Sequence, residues 1–414
     1  MYLTNYRDLL YSTLIMYIDR LIEAEVTKLL GDSKIIILLG ARQVGKTTMI
    51  EPFVHRESGL LLNCDVEVDK ARILAASTLT PHDAMQALGN PRLLVIDEAQ
   101  NLPEVGRIVK GWYDAHVTTK IVLLGSSSLN LLDQTAEPLT GRNEKIYLTP
   151  LLFTEVLSSQ PWYSPQTTKG HLKHQFTNQV QTILMQHIVY GGYPEIITTG
   201  DKEKYLLNIT SDYLLRDVLQ SGLVKSPEPI KRLLALLAHQ TGSKVNVSEL
   251  SGTLGIARPT VENYLELLER SYVIFRVGAF STNLRNEIGK DAKIFFWDTG
   301  VRNALLKEFS LSPLRSDIGS LFKNWVIAEV AKHNLMSGNK LAIYFWRKTD
   351  GSEVDLVIRG TNVFKAYEVK WSKQNATHGT KSFTNSYNVP VEIITKDTVL
   401  DLLLEAKNWL HSSD

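Results

Sequence analysis

Residues 35–48 read IIILLGARQVGKTT, a short wholly apolar run followed by a glycine-rich turn and the start of a helical pattern. The run Ile35–Leu39 has the length and composition of a buried strand. Gly40–Thr48 then fits the spacing G-x-x-x-x-G-K-[ST], which builds an anion cradle when it lies between a strand and a helix. The glycines let the backbone wrap phosphate oxygens, and the amides and helix N-terminus supply positive potential. On this reading Gly40, Ala41, Gln43, Val44, Gly45, Lys46, Thr47 and Thr48 hold a nucleotide. Lys46 reaches the β and γ phosphates of ATP and Thr47 ligates Mg2+. An ordinary glycine loop is the competing reading, and the flanking strand and helix weigh against it.

Further apolar runs follow at 60–62, 93–96 and 121–124, separated by helical stretches, which predicts a parallel α/β sheet. LLVIDE delivers Asp97 and Glu98 at a strand's carboxyl end, where open α/β sheets place ligand groups. Asp97 is expected to hold magnesium, and Glu98 to polarise the attacking water. IVLLG runs into Ser126, Ser127 and Ser128; Ser126 could present a hydroxyl to the γ phosphate, with plain turn chemistry as the alternative. Arg142, in LTGR, is a candidate arginine finger offered to a neighbouring subunit, or else half of a structural salt bridge.

The 414 residues exceed one compact core and suggest roughly two to four domains. Hydrophobic residues at 44% and charged residues at 21% exclude a disordered chain, and a net charge of +1 leaves any nucleic-acid binding to a local patch. The single cysteine, Cys64, cannot form an internal disulfide, and a reducing cytoplasmic setting fits. The N-terminal Leu9, Leu10, Leu14, Ile15 and Ile18 are interrupted by polar residues, so neither a signal peptide nor a membrane span is expected. Ten histidines show no pair at metal-ligand spacing, and His187 reads as a core residue.

A helix is expected over Met16–Leu30. Helices dominate after Pro150, and Gly191, Gly192 and Pro194 in GGYPE form either a hinge or a local tight turn. Trp297, Asp298 and Gly300 in FFWDTG read as structural. Val247–Leu254 and Arg258–Arg270 read as a helix-turn-helix with Gly255–Ala257 as the turn and Val273–Val277 as a following strand. Val261, Leu265 and Leu268 form the inward stripe of its second helix. Arg258 and Asn263 are plausible DNA contacts, yet Glu262, Glu266 and Glu269 would repel phosphates, so a protein-packing role stays open. Strands return as IYFWR, EVDLVI, FKAYEVK and VEIIT.

The ordered set GARQVGKTT, LLVIDEAQ, LLGSSS, LTGR, PLLFTE, GGYPE and EVDLVI with EVK resembles the bacterial and archaeal ATP-binding proteins that couple an AAA-type ATPase domain to a C-terminal DUF4143 domain. The resemblance runs over nearly the whole chain from Met16. It implies an α/β fold: a P-loop core of the AAA/ASCE type with a parallel sheet over 1–158, and a helical region over 159–238. A winged helix over 239–310 and a small α/β domain similar to PD-(D/E)XK nucleases over 311–414 follow. On that pattern Asp355 and Glu368 would bind magnesium while Lys370 orients the attacking water. Lys323, in GSLFKNWVIAE, stands where the family usually carries a glutamate, and Glu329, six residues on, faces another side of the helix. An inactive nuclease-like domain is therefore an open alternative. The implied function is a magnesium-dependent, homo-oligomeric ATPase that binds and remodels or translocates DNA, whose form is unspecified. The alternative is a nucleotide-gated switch that binds DNA or a protein partner without motor activity.

Overall fold

The computed structural model describes residues 17–126, 131, 135, 137–164, 166–213, 227–281, 292–372 and 377–411. Ser127, Ser128, the N-terminal Leu9, Leu10, Leu14 and Ile15, and Met16, the first residue of the expected helix, lie outside them. The chain divides into two compact units, one ending at Thr149 and one beginning at Pro150.

The first unit is built on strands β1 (Ile35–Leu39), β2 (Leu60–Asn63), β3 (Leu93–Asp97), β4 (Lys120–Gly125) and β5 (Asn143–Tyr147). They are all parallel, in the order β2-β3-β4-β1-β5. Every residue of β1 and β3 is buried, because helices cover both faces of a parallel sheet and leave no solvated side to alternate with. The order makes β1, β4 and β3 neighbours, so the residues that follow their carboxyl ends gather at one edge.

The N-terminal helix is shorter than its apolar spacing predicts, running from Glu23 to Leu30. Glu23 Oε1 accepts the backbone N–H of Arg20 at 2.8 Å just before the first turn of that helix. Ile18, Ile22, Val26 and Leu29 are nevertheless buried, as their spacing requires.

The second unit has one six-stranded sheet made of β6 (Ile274–Ala279), β7 (Lys293–Phe296), β8 (Ala342–Arg347), β9 (Glu353–Arg359), β10 (Phe364–Val369) and β11 (Val391–Ile394). Its order is β11-β10-β9-β8-β6-β7. The helix Pro227–His239, a bridge between Lys244 and Lys293, the helices Val247–Leu254 and Arg258–Arg270, and the antiparallel β6–β7 pair follow one another in winged-helix order. The expected partition at 158, 238 and 310 differs from this arrangement. The break falls at 149/150, and β6 pairs with β8 through Gly278–Tyr344 and Ala279–Phe345, so winged helix and C-terminal strands share one sheet.

One face of that sheet packs on the helix Ile318–Met336, whose Phe322, Trp325 and Val326 are buried with Leu356, Ile358 and Tyr367. The other face buries Phe280, Trp346, Val354, Val357 and Phe383. A helix buried on nearly every side carries polar groups inward, and each finds a partner. Asn324 accepts the Phe296 N–H at 2.9 Å and donates to the Phe296 carbonyl at 2.8 Å. Trp325 Nε1 donates to His187 Nδ1 at 2.8 Å, while His187 Nε2 lies 3.2 Å from the Leu151 carbonyl. Burial holds the His187 pKa well below its ordinary value, which makes it the neutral core residue expected. Gly191 and Gly192 pack closely on other residues of this unit. A Cβ at Gly191 would meet Asp298 at 2.1 Å, and Asp298 Oδ2 accepts the Gly192 N–H at 2.7 Å. GGYPE and FFWDTG are thus two sides of one close contact.

Asp317, at the start of the helix Ile318–Met336, takes Arg315 Nε at 2.6 Å and Arg302 Nη1 at 2.5 Å. Burial works against the charged carboxylate, but the two guanidinium groups outweigh it and hold the pKa at about 2. A depressed carboxyl stabilises the fold above its ordinary value near 3.8, and that contribution is lost as pH falls toward 2. The stability gap between wild type and Asp317→Asn is therefore expected to close between about pH 4 and pH 2. Tryptophan-monitored denaturant unfolding can follow it, since Trp112 is the first unit's sole tryptophan. A gap that stays constant over that window would show that the carboxylate charge contributes nothing.

Candidate functional site

Three strand ends bring the site together in the first unit. After β1 the chain turns through Gln43, at φ 61°, and Gly45, at φ 89°, before the helix Lys46–Arg56 begins. Both angles lie in the left-handed region, where glycine is at ease and glutamine is strained, a cost that clusters at ligand-binding loops. Gly40 has no room for a side chain, because a Cβ would stand 2.1 Å from the Leu148 carbonyl oxygen. The helix starts with no side-chain cap, so its first-turn amides are left to a ligand. Lys46 is buried, and its ammonium donates to the carbonyls of Gly40 at 3.0 Å and Ala41 at 2.9 Å, which occupy the donors that a phosphate would take.

Thr47 Oγ1 donates to Asp97 Oδ2 at 2.7 Å, joining the end of β3 to the start of the helix. The other Asp97 oxygen accepts the Glu98 N–H at 2.8 Å. A hydroxyl and a buried carboxylate in contact are a hard oxygen pair of the type magnesium selects, so these residues fit the ion expected of them. Glu98 itself sits at φ 48°, a strained setting for a glutamate directly after a buried strand. Its Oε2 accepts from Gln100 Nε2 and lies 3.3 Å from Ser126 Oγ, and Gln100 Nε2 also reaches Ser126 Oγ at 3.1 Å. Lys46, Thr47, Asp97, Glu98 and Ser126 are thus brought to one edge of the sheet, while Thr48 is exposed on the helix.

Two residues of this site carry no role in the sequence reading. Gln100 lies two places after Glu98 in DEAQ, and only the turn Ala99–Asn101 returns it toward the carboxylate. Arg20 is buried and donates through Nη1 to the Val44 carbonyl at 2.9 Å and through Nη2 to the Thr149 carbonyl at 2.6 Å. Nothing in the spacing of the N-terminal helix signals that role.

Arg142 stands elsewhere. It precedes β5, whose first residue pairs with Ile35, and its carbonyl accepts the Ile35 N–H, so it lies beside the beginning of β1. The phosphate loop leaves the far end of that strand, on the order of 13 Å away at the usual rise per residue. The guanidinium is taken by Asp114 at 2.7 and 3.2 Å. Within one chain Arg142 forms the structural salt bridge, and it does not join the nucleotide site.

In the second unit, Asp355 and Glu368 sit on neighbouring strands. Tyr344 pairs with Val357 and Trp346 with Val354, two steps on β8 against three on β9, a bulge that contains Asp355 and Leu356. Asp355 is buried; its Oδ1 lies 2.5 Å from Lys323 Nζ and its Oδ2 accepts the Val369 N–H at 3.0 Å. Glu368 pairs with Lys370 at 2.9 Å, and Glu353 pairs with buried Lys293. Burial first, and Asp355 second, raise the Glu368 pKa. Each carboxylate has a lysine of its own. Among the described residues no group of three or more His, Cys, Asp or Glu side chains is placed to hold a metal ion.

Comparison with known proteins matches residues 32–157 to the family described as AAA domain and residues 318–406 to DUF4143. The chain is a P-loop ATPase with a C-terminal DUF4143 domain. Residues 181–312 match a further domain of unknown function, DUF8612, which includes the winged helix. An uncharacterised protein of Mycobacterium tuberculosis is 25% identical over 354 residues, 84% of this chain and 72% of that protein. One of Methanocaldococcus jannaschii is 25% identical over 367 residues, covering 83% and 76%. The Walker-type ATPase of Pyrococcus abyssi is similar at 18% identity and a TM-score of 0.47, over 70% of this chain and 96% of that one. Among the described residues no helix is long and apolar enough to cross a membrane.

Gln100 Nε2 bridges the Glu98 carboxylate and Ser126 Oγ, which directs its effect to the glutamate. Gln100→Ala is expected to lower kcat by roughly tenfold or more, as misplacement of a positioned group does, and to leave nucleotide affinity within about twofold. Steady-state hydrolysis alongside equilibrium nucleotide binding separates the two. A matching loss in affinity would place Gln100 in the binding loop's support.

Proposed function

We propose that this chain is a magnesium-dependent ATPase that couples nucleotide turnover to DNA engaged by its winged helix. The hydrogen bond between Thr47 and Asp97 carries the nucleotide half, because it joins the loop that takes phosphates to the strand that supplies the carboxylates. Thr47 and Asp97 would hold magnesium, which supplies charge neutralisation to the phosphate oxygens. Lys46 exchanges two backbone carbonyls for phosphate oxygens. Glu98 orients the attacking water and accepts its proton, with Gln100 and Ser126 fixing the carboxylate for that task. Arg142, bound to Asp114 in its own chain, would act as an arginine finger only toward a second copy in a homo-oligomer.

Support for DNA comes from the second unit's winged-helix order and from Arg258 and Asn263, exposed near the start of its second helix. Glu262 and Glu266 are exposed on the same helix and favour a second reading, a nucleotide-gated switch that meets a protein partner there.

ATP hydrolysis by the full chain with magnesium, measured without DNA and with duplex, single-stranded and four-way-junction DNA, tests the proposal. Stimulation by one form is expected. Lys46→Ala abolishes turnover, and Glu98→Gln keeps nucleotide but turns over roughly 10²–10⁴-fold more slowly, the usual loss for a general base. Normal turnover in Glu98→Gln removes that residue from the catalytic role, and indifference to every DNA form selects the switch.

A further inference from the structure

The carboxylates of the nuclease-like constellation are arranged around ammonium groups. Lys323 projects from the helix Ile318–Met336 and its Nζ lies 2.5 Å from Asp355 Oδ1, at a carboxylate only 2% exposed. The β9 bulge is what turns Asp355 to this face. Strict alternation would separate Asp355 from Leu356, yet Leu356 and Ile358 pack with the Lys323 helix while Val354 and Val357 pack on the other side. The second Asp355 oxygen is taken by the Val369 N–H, so both are engaged without any ion.

The neighbouring groups follow the same pattern. Lys370 takes one oxygen of Glu368, and Lys293 takes Glu353. Three carboxylates meet three lysines, and Arg347 Nη1 also lies 3.9 Å from Glu353, so the cations outnumber the carboxylates by one. A divalent-cation site needs the opposite, several oxygens with excess negative charge and room for the ion. One group shows what the arrangement leaves unfilled: Glu368 is 5% exposed, and its Oε2 is buried with no hydrogen-bond partner among the described residues.

We infer that the Lys323 ammonium is the resident cation of this site, in the place a divalent metal would take on Asp355, and that the C-terminal domain is therefore a metal-independent, non-cleaving version of its fold. The residues do not fit the magnesium ion that the D then E-x-K pattern implies, and no hydrolytic step at this site is derived. The inference is independent of the proposed nucleotide site, whose residues all lie in the other unit.

Thermal melting of the nucleotide-free full chain, with and without millimolar manganese, tests it. Lys323→Ala strips the counter-charge from a buried carboxylate and is expected to melt lower by roughly 5 °C or more. Manganese should then restore most of that loss, because an ion bound only to the folded state raises its melting point. The double variant Lys323→Ala with Asp355→Asn should lose the response, and wild type should respond no more than Asp355→Asn alone, which discounts ions bound at Asp97. A manganese response in wild type that Asp355→Asn abolishes overturns the inference, and so does a folded Lys323→Ala that ignores manganese. If Lys323→Ala does not fold, Lys323→Gln, which keeps the stem, is judged by the same two outcomes.

Discussion

A parallel strand buried on both faces has only its ends in which to place polar chemistry, and β1 is such a strand. Ile35–Leu39 are each 1% exposed or less, between β4 and β5. No side chain along its length can be charged without a desolvation penalty that nothing nearby repays. The turn after Leu39, the Asp97–Glu98 pair after β3 and Ser126 after β4 are therefore drawn to one edge. Because β1 lies next to β4 and β4 next to β3, that edge is a single place. The order of the strands, more than any individual contact, assembles the nucleotide site. It also explains Arg142: a residue at the entrance of β5 is carried to the opposite edge by the same parallelism that gathers the others.

The second unit meets the same constraint differently. Its long helix is buried nearly all round and still carries Asn324, Glu329, Lys332 and His333. Here charges are tolerated because they come in pairs whose backbone partners complete them. Glu329 and Lys332 pair with each other; Glu329 accepts the Phe153 N–H at 2.8 Å, and Lys332 donates to the Leu151 carbonyl at 3.2 Å. Breaking such a pair strands a buried charge, so each member constrains the other. Lys323 with Asp355 belongs to this class of interaction. The chemistry of a metal site and that of a buried ion pair differ there by one side chain.

Much of this was legible from spacing. The loop Gly40–Thr48, the strand ending in Asp97 and the helices Val247–Leu254 and Arg258–Arg270 follow from local rules: apolar period, turn glycines and helix stops. The inward stripe of Val261, Leu265 and Leu268 is buried, with Tyr264 and Leu267 beside it. What escaped was non-local. Arg20 reaches a carbonyl 24 residues away and another 129 residues away, distances on which periodicity is silent. The β9 bulge is a two-strand property that no single strand displays. The shared sheet arises from two bonded pairs between β6 and β8, residues more than 60 positions apart, and composition does not register them. Gln100 is the nearest miss: DEAQ shows an amide two residues past the glutamate, but only the tight turn aims it back.

Arg20 also bears on how the nucleotide loop is supported. Its two-pronged guanidinium ties the Val44 carbonyl, inside the loop, to the Thr149 carbonyl, the last residue of the first unit. One residue earlier, Leu148 donates its N–H to the Leu39 carbonyl at 2.7 Å, and its own carbonyl closes the space over Gly40. The loop thus rests on the segment by which the first unit continues into Pro150. A planar fork with fixed geometry transmits a shift of one carbonyl to the other more faithfully than a flexible lysine would. Any rearrangement of Val44 on phosphate binding must therefore either move Thr149 or break a buried charge-assisted hydrogen bond, which costs about 1.5–3 kcal/mol. The end of the ATPase unit is thus hydrogen-bonded, through Arg20, to its phosphate loop.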